Sequence, residues 1–163
     1  MSYDLDAFPL PPGRSAKEFV ESGDREAHAD DDSPPTAAER AAMERAAAAL
    51  LEIDPSAERF EDEKVIEITG EATQVLLFAR EAGITIPYWF EGDEADVALD
   101  RAFAYARVIA DTLGYTIWDP QTETVVDPAA SDRQDASESY GHGVAVTREI
   151  SRGMRRPWWK IWR

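Results

Sequence analysis

Residues 94–118 read EADVALDRAFAYARVIADTLGYTIW and hold the strongest structural pattern of the chain. Apolar side chains recur three and four positions apart from Leu99 to Leu113, the spacing of a helix with one buried face. Gly114 follows at the position where helices commonly end on glycine, and residues 115–118 favour a strand. The stretch therefore predicts a long helix that leads directly into a sheet.

The chain before this stretch predicts a strand, two helices and a hairpin. Glu18 and Glu39 each follow a Ser or Thr by three positions, the spacing of a capping box at a helix start. Alternating apolar residues indicate the strands, with Ile66 and Ile68 on the inward face of the hairpin. These elements are a strand over 3–7, helices that begin after Ser15 and Thr36, and a hairpin over 59–61 and 65–69.

One helix and two strands complete the predicted fold. Residues 71–82 fit a helix ended by Gly83. Residues 84–90 alternate as a strand, in which Pro87 favours an edge position or the loss of one ladder hydrogen bond. Residues 123–126 are expected to pair with the strand after Gly114.

This order contains a β-α-β-β-α-β core and predicts an α+β fold. We expect a ferredoxin-like or related sheet with helices mainly on one face, plus an extra helix-hairpin and a C-terminal tail. Residues 1–127 are expected to form a single domain, and residues 128–143, rich in Ser, Asp, Ala and Gly, a linker. Residues 144–163 form the basic tail, which begins with one weak predicted strand.

The amino-acid composition of the chain limits the classes of protein to which it can belong. The 163 residues are 44 % apolar, enough for one core, and contain no cysteine for a disulfide or thiolate site. The first residues lack the positive start and apolar run of a secretory signal, so we expect a cytoplasmic location. The longest purely apolar run, residues 46–51, is too short to cross a bilayer.

Charge is divided unevenly along the chain. Residues 148–163 carry six basic side chains and one acid, whereas the rest carries 11 basic and 32 acidic side chains. An acidic body repels phosphate groups, so nucleic acid is an unlikely partner.

Motifs for catalysis or cofactors are missing from the sequence: it has no nucleophile elbow, no phosphate-binding or dinucleotide glycine loop and no zinc-protease pattern. His28 and His142 both lie in segments that read as links, a poor platform for catalysis. The acids of residues 30–32 beside His28 are interpreted as a solvated link. We therefore expect no catalytic residue, no metal and no cofactor.

The acids after the predicted strand over 84–90 have two interpretations. Glu91, Asp93 and Glu94 could form a carboxylate site beside Trp89, which would make the chain an enzyme with raised carboxylate pKa values. The simpler interpretation makes Asp93 the N-cap of the long helix and places Glu94 and Asp96 in its first turn.

Two tryptophans stand on the less apolar face of their strands. Trp89 and Trp118 could form an exposed aromatic ledge that contacts a partner. Alternatively, the extra helix or the tail packs over them.

The basic tail interleaves cations with indole rings. It can dock on the chain's own acidic body or be exchanged between protomers, contact a partner protein, or meet an anionic membrane surface. The tail residues expected to make such contacts are Arg155, Arg156, Trp158, Trp159, Lys160 and Trp162.

Several stretches resemble small uncharacterised bacterial proteins: residues 3–5, 102–110, 114–121 and 157–162. A small acidic α+β chain is also similar in size and composition to immunity proteins, which block a basic toxin. This resemblance implies no site residue.

Our leading hypothesis is a non-enzymatic acidic binding or adaptor protein that contacts its partner through Trp89, Trp118 and the tail. The alternatives are a peripheral membrane protein anchored by the tail and, third, an enzyme that uses carboxylates.

Overall fold

The computed structural model describes residues 2–29, 33–129 and 134–154, a mixed α+β fold with one antiparallel sheet. Among these residues, no helix is both long and apolar enough to span a membrane. The helices are α1 (Ala16–Glu21), α2 (Asp24–Ala29), α3 (Ala37–Ile53), α4 (Asp93–Leu113) and α5 (Gln134–Met154). The strands are β1 (Ser2–Phe8), β2 (Glu58–Glu61), β3 (Ile66–Thr69), β4 (Gln74–Leu77), β5 (Ala82–Pro87), β6 (Thr116–Asp119) and β7 (Thr124–Val126).

The seven strands lie in the order β2-β3-β4-β5-β1-β6-β7, and all neighbours are antiparallel. Strand β1 pairs Leu5 with Ile84 of β5 on one side and Ala7 with Ile117 of β6 on the other. The α+β class is confirmed. A ferredoxin-like topology is not confirmed, because that topology places parallel neighbours at the centre of the sheet.

The inner face of the sheet carries the main core. Alternate residues Tyr3, Leu5 and Ala7 of β1 are buried, and α3, α4 and α5 pack on their side of the sheet. The Tyr3 hydroxyl donates a 2.7 Å hydrogen bond to buried Asp119 of β6. Burial, followed by this neighbouring carboxylate, raises the pKa of Tyr3.

Within the described part of the chain, the outer face is covered only at one end. Phe8 of β1 and Trp118 of β6 pack there against Phe19 of α1, and Arg25 of α2 pairs with Asp6 at 2.7 Å. Helices α3, α4 and α5 therefore lie on the inner face of the sheet, and the short helices α1 and α2 lie on the outer face.

Most predicted element boundaries are confirmed, and the capping residues explain them. Thr36 and Glu39 form a reciprocal capping box at the start of α3, and Ser15 accepts a hydrogen bond from the Glu18 amide at the start of α1. Gly114 adopts φ 70°, a left-handed conformation that glycine tolerates, and ends α4.

Two predictions in the middle of the chain are wrong. Residues 71–82 do not form a helix but turns and strand β4, in which Val75 and Leu77 alternate into the core. Strand pairing on both sides of this segment outweighs its helical spacing. Of the two alternatives for Pro87, the edge position is wrong, because β5 lies between β4 and β1. The proline is the last residue of β5, opposite Ser2, and without an N–H it cannot donate a ladder hydrogen bond, as the other alternative expects.

The predicted linker and the weak strand after it are also corrected by the structure. Helix α5 covers the second half of the linker, residues 134–143, and continues through Val144 and Val146 to Met154. Its buried side chains, Ala136, Tyr140 and Val144, are four residues apart. Small and polar residues between them hide this helical stripe.

A buried carboxylate joins α3 to α4 and to the turn between β3 and β4. Asp54 caps α3 and accepts hydrogen bonds from the Ser56 hydroxyl at 2.6 Å and the Ser56 amide at 3.2 Å, and it ion-pairs with Arg101. A Cβ atom on Gly70 would lie 2.9 Å from Asp54 Oδ2, so a side chain at that position would have to displace the carboxylate. The Ser56 hydroxyl, followed by the charge of Arg101, outweighs burial and lowers the pKa of Asp54 below its usual value of 3.8.

The pH dependence of the stability of an Asp54 variant tests the contacts of this carboxylate with Ser56 and Arg101. A folded pKa below the unfolded one means that ionised Asp54 stabilises the fold above the unfolded pKa, and that this stabilisation is lost as pH falls through the folded pKa. We expect Asp54→Asn to lower the free energy of unfolding by about 1–3 kcal/mol at pH 7, with a smaller difference in acid, measured by urea unfolding. The control Asp111→Asn, in the exposed pair with Arg107, should change little. An Asp54→Asn effect as large in strong acid as at neutral pH contradicts the assignment.

Candidate functional site

The two tryptophans predicted to form one ledge are separated by the fold. Trp118 is only 4 % exposed, because α1 covers it with Phe19, whereas Trp89 is 72 % exposed. A ledge shared by both side chains is therefore wrong. The alternative, that the extra helix packs on one of them, is confirmed for Trp118.

Trp89 projects from the connection between β5 and α4. Its neighbour Phe90 packs partly buried against the main core, and the two rings meet edge to face with centroids 6.2 Å apart. Phe90 thus anchors the connection while Trp89 stays in solvent. Large aromatic side chains left in solvent often mark interaction sites.

Four carboxylates follow Trp89 along the chain. Asp93, Glu94 and Asp96 lie in the first turn of α4, and Glu91 precedes it. The N-cap is Gly92, with φ 55°, so the prediction of Asp93 as N-cap is wrong, whereas the first-turn positions of Glu94 and Asp96 are confirmed. We call residues 88–96 the aromatic-acidic loop.

Helix α5 contacts the residues at the start of the loop. The Tyr140 hydroxyl donates a 2.7 Å hydrogen bond to the carbonyl oxygen of Pro87, immediately before the loop. The Tyr140 ring lies 6.3 Å from the Tyr3 ring and 5.3 Å from the Tyr88 ring, centroid to centroid. Burial raises the pKa of Tyr140, so its hydroxyl keeps the proton that it donates.

The closest approach of α5 to the loop occurs at a glycine. A Cβ atom on Gly143 would lie 2.3 Å from the Tyr88 ring, whereas one on Gly141 would meet no atom within 4 Å. The absence of a side chain at position 143 therefore lets the helix seat against Tyr88.

A groove of about 390 Å³ separates the loop from α5. Leu99 and Val144 supply apolar wall, and Arg148 of α5 ion-pairs with Glu91 of the loop. The groove thus combines an apolar wall with charged groups. Its other lining residues are Phe90, Gly92, Ala95, Asp96, Ser137, Tyr140 and Gly141.

Both histidines lie on helices rather than on links. His142 is exposed on α5 and lines a second concavity of about 380 Å³ with Tyr88, Gln121 and Glu138. His28 belongs to α2, and its side chain is outside the described part of the chain.

The candidate carboxylate site of Glu91, Asp93 and Glu94 contains no buried pair of carboxylates. Asp93 and Glu94 are exposed and do not line the groove, and Glu91 is half-exposed in its ion pair with Arg148. Across residues 2–29, 33–129 and 134–154, no three His, Asp or Glu side chains are grouped as metal ligands. Residues 30–32 lie outside the described residues, as do all six tail residues expected to contact a partner: Arg155, Arg156, Trp158, Trp159, Lys160 and Trp162.

Comparisons of the chain with protein-family models, with curated proteins and with solved structures find no match. The fold and the groove are therefore interpreted from their own geometry.

Sequence reasoning found Trp89 and its acids but missed the α5 side of the groove. The signal was present in Ala136, Tyr140 and Val144, which recur at intervals of four. Two glycines in the same segment, Gly141 and Gly143, favoured the reading as a linker because glycine weakens an isolated helix.

A pair of glycine substitutions tests the seating of α5 on the loop. Gly141→Ala should raise the free energy of unfolding by up to about 1 kcal/mol through helix propensity. Gly143→Ala gains the same propensity but must displace Tyr88, so we expect it to be less stable than Gly141→Ala by about 1–3 kcal/mol. Urea unfolding of both variants measures the difference, and equal stabilisation by the two alanines contradicts the contact.

Proposed function

We propose that the chain is a non-enzymatic binding protein of the cytoplasm whose aromatic-acidic loop takes a cationic segment of a partner protein. One observation carries the proposal: Trp89 is 72 % exposed and is followed by four carboxylates within seven residues. An indole face attracts guanidinium and ammonium groups, and carboxylates pair with them.

The charge of the loop supports a cationic partner. Its carboxylates are Glu91, Asp93, Glu94 and Asp96. Among the described residues, the guanidinium of Arg148 pairs with Glu91, and the N-terminus of α4 adds the equivalent of about half a positive charge. Negative charge therefore remains in excess around Trp89.

The groove beside the loop supports an apolar anchor. Leu99 and Val144 line it, and the aromatic core residues Phe90 and Tyr140 close its base. A partner segment that alternates basic and aromatic side chains would place cations on the carboxylates and rings in the groove. Anchors of this kind usually dominate the binding energy of an interface.

The charge of the whole chain favours the same partner class. A net charge of −16 accelerates encounters with basic surfaces and slows encounters with acidic ones. Such a partner has the chemistry of the basic toxins that immunity proteins block.

Peptide binding to the full chain tests the proposal. The probe is an octapeptide of alternating Arg and Trp, with one of alternating Glu and Trp as the control peptide. We expect the cationic peptide alone to bind, with an affinity that falls as salt rises. Trp89→Ala should weaken binding at least tenfold, since an aromatic anchor contributes about 2 kcal/mol, and isothermal titration calorimetry measures it.

Phe60→Ala is the matched control, because Phe60 is an exposed aromatic residue on edge strand β2, away from the loop. Its affinity should equal that of the unchanged chain. Binding that is lost equally in both variants contradicts the proposed site, as does binding that is absent both from the full chain and from a chain with Arg155→Glu and Arg156→Glu.

A further inference from the structure

The basic C-terminal region already contacts the aromatic-acidic loop through its first cation. Arg148 begins the run of six basic residues that ends the chain, and its guanidinium pairs with Glu91. Helix α5 continues to Met154, about 9 Å further along its axis at 1.5 Å per residue. The remaining residues, 155–163, therefore begin close to the loop.

These nine residues have the chemistry that the loop requires. They contain four basic side chains, three tryptophans and no acid: RRPWWKIWR. The alternation of cations and indole rings matches the carboxylates and apolar wall described above. No other stretch of the chain combines basic and aromatic residues so densely.

The segment is long enough to reach the loop. Nine extended residues span about 30 Å, whereas the return from the end of α5 to the level of Arg148 requires about 9 Å. Pro157 near the start of the segment fixes one backbone angle and is a common turn residue. The chain can therefore reverse direction and still place Trp158 and Trp159 beside Trp89.

Covalent attachment favours this segment over any free ligand. A short tether gives an effective concentration in the millimolar range, far above that of a second copy at ordinary protein concentrations. The same argument makes docking within one chain more favourable than exchange between two chains.

We propose that residues 155–163 of the same chain occupy the aromatic-acidic loop and the groove beside it, as an intramolecular ligand that a partner must displace. This inference rests on the proposed function of the loop. It names the first occupant of the site and makes access to Trp89 a controlled step.

Fluorine NMR of the full chain labelled with 5-fluorotryptophan tests the inference. The chain has five tryptophans, and Trp89→Phe and Trp118→Phe assign the two resonances of the body. Reversing two tail charges with Arg155→Glu and Arg156→Glu should release the segment. We expect the Trp89 resonance to move toward its solvent-exposed position while that of buried Trp118 stays in place.

The matched control reverses two exposed charges elsewhere, Arg45→Glu on α3 and Arg107→Glu on α4, and should leave the Trp89 resonance unchanged. The released variant should also bind the Arg-Trp octapeptide more tightly than the unchanged chain. Both effects should be independent of protein concentration.

Failure of this inference is separable from failure of the proposed function. If the octapeptide binds at Trp89 but the tail reversal moves no resonance, the intramolecular ligand is wrong and the binding site stands. If the octapeptide does not bind either, both are wrong. A Trp89 shift that grows with protein concentration assigns the segment to a neighbouring copy and overturns docking within the chain.

Discussion

The hydrogen bond from the Tyr140 hydroxyl to the Pro87 carbonyl oxygen is the contact on which the site depends. It fixes α5 where β5 ends and the aromatic-acidic loop begins. One such bond contributes only about 1 kcal/mol, but burial of the ring adds about 2 kcal/mol or more. Gly143 permits this seating, and Arg148 follows five residues later and pairs with Glu91. A single helix therefore shapes the groove and places Arg148 on its wall.

The uneven distribution of charge along the chain can be related to the position of α5 in the fold. A long acidic body with a short cationic end would attract its own terminus in any arrangement, at a strength that salt would screen. The fold adds a location: the loop that carries the exposed indole of Trp89 contacts α5 through Tyr88, which lies against Gly143, and through Glu91, which pairs with Arg148. The ion pair of Arg148 with Glu91 is one such attraction between defined groups.

Local patterns predicted the elements that local forces determine. The stripe from Leu99 to Leu113 and the caps at Thr36 and Gly114 gave α4 and α3 nearly to the residue. Where tertiary contacts decide, prediction failed: β4 is a strand because β3 and β5 pair with it, and α5 is a helix because Tyr140 and Gly143 fit the sheet. The sequence allowed Trp89 and Trp118 to be exposed together, because the packing of α1 over Trp118 is a tertiary contact that no local pattern shows.

Native-state hydrogen exchange of the α5 backbone amides tests the central claim most directly, because it reports whether this helix is docked on the sheet or only transiently formed. The structure predicts that the amides of residues 140–147 are protected to a degree comparable with those of α4. Exchange of these amides at the rate of an unstructured peptide, while α4 stays protected, would contradict the seating of α5 and with it the groove.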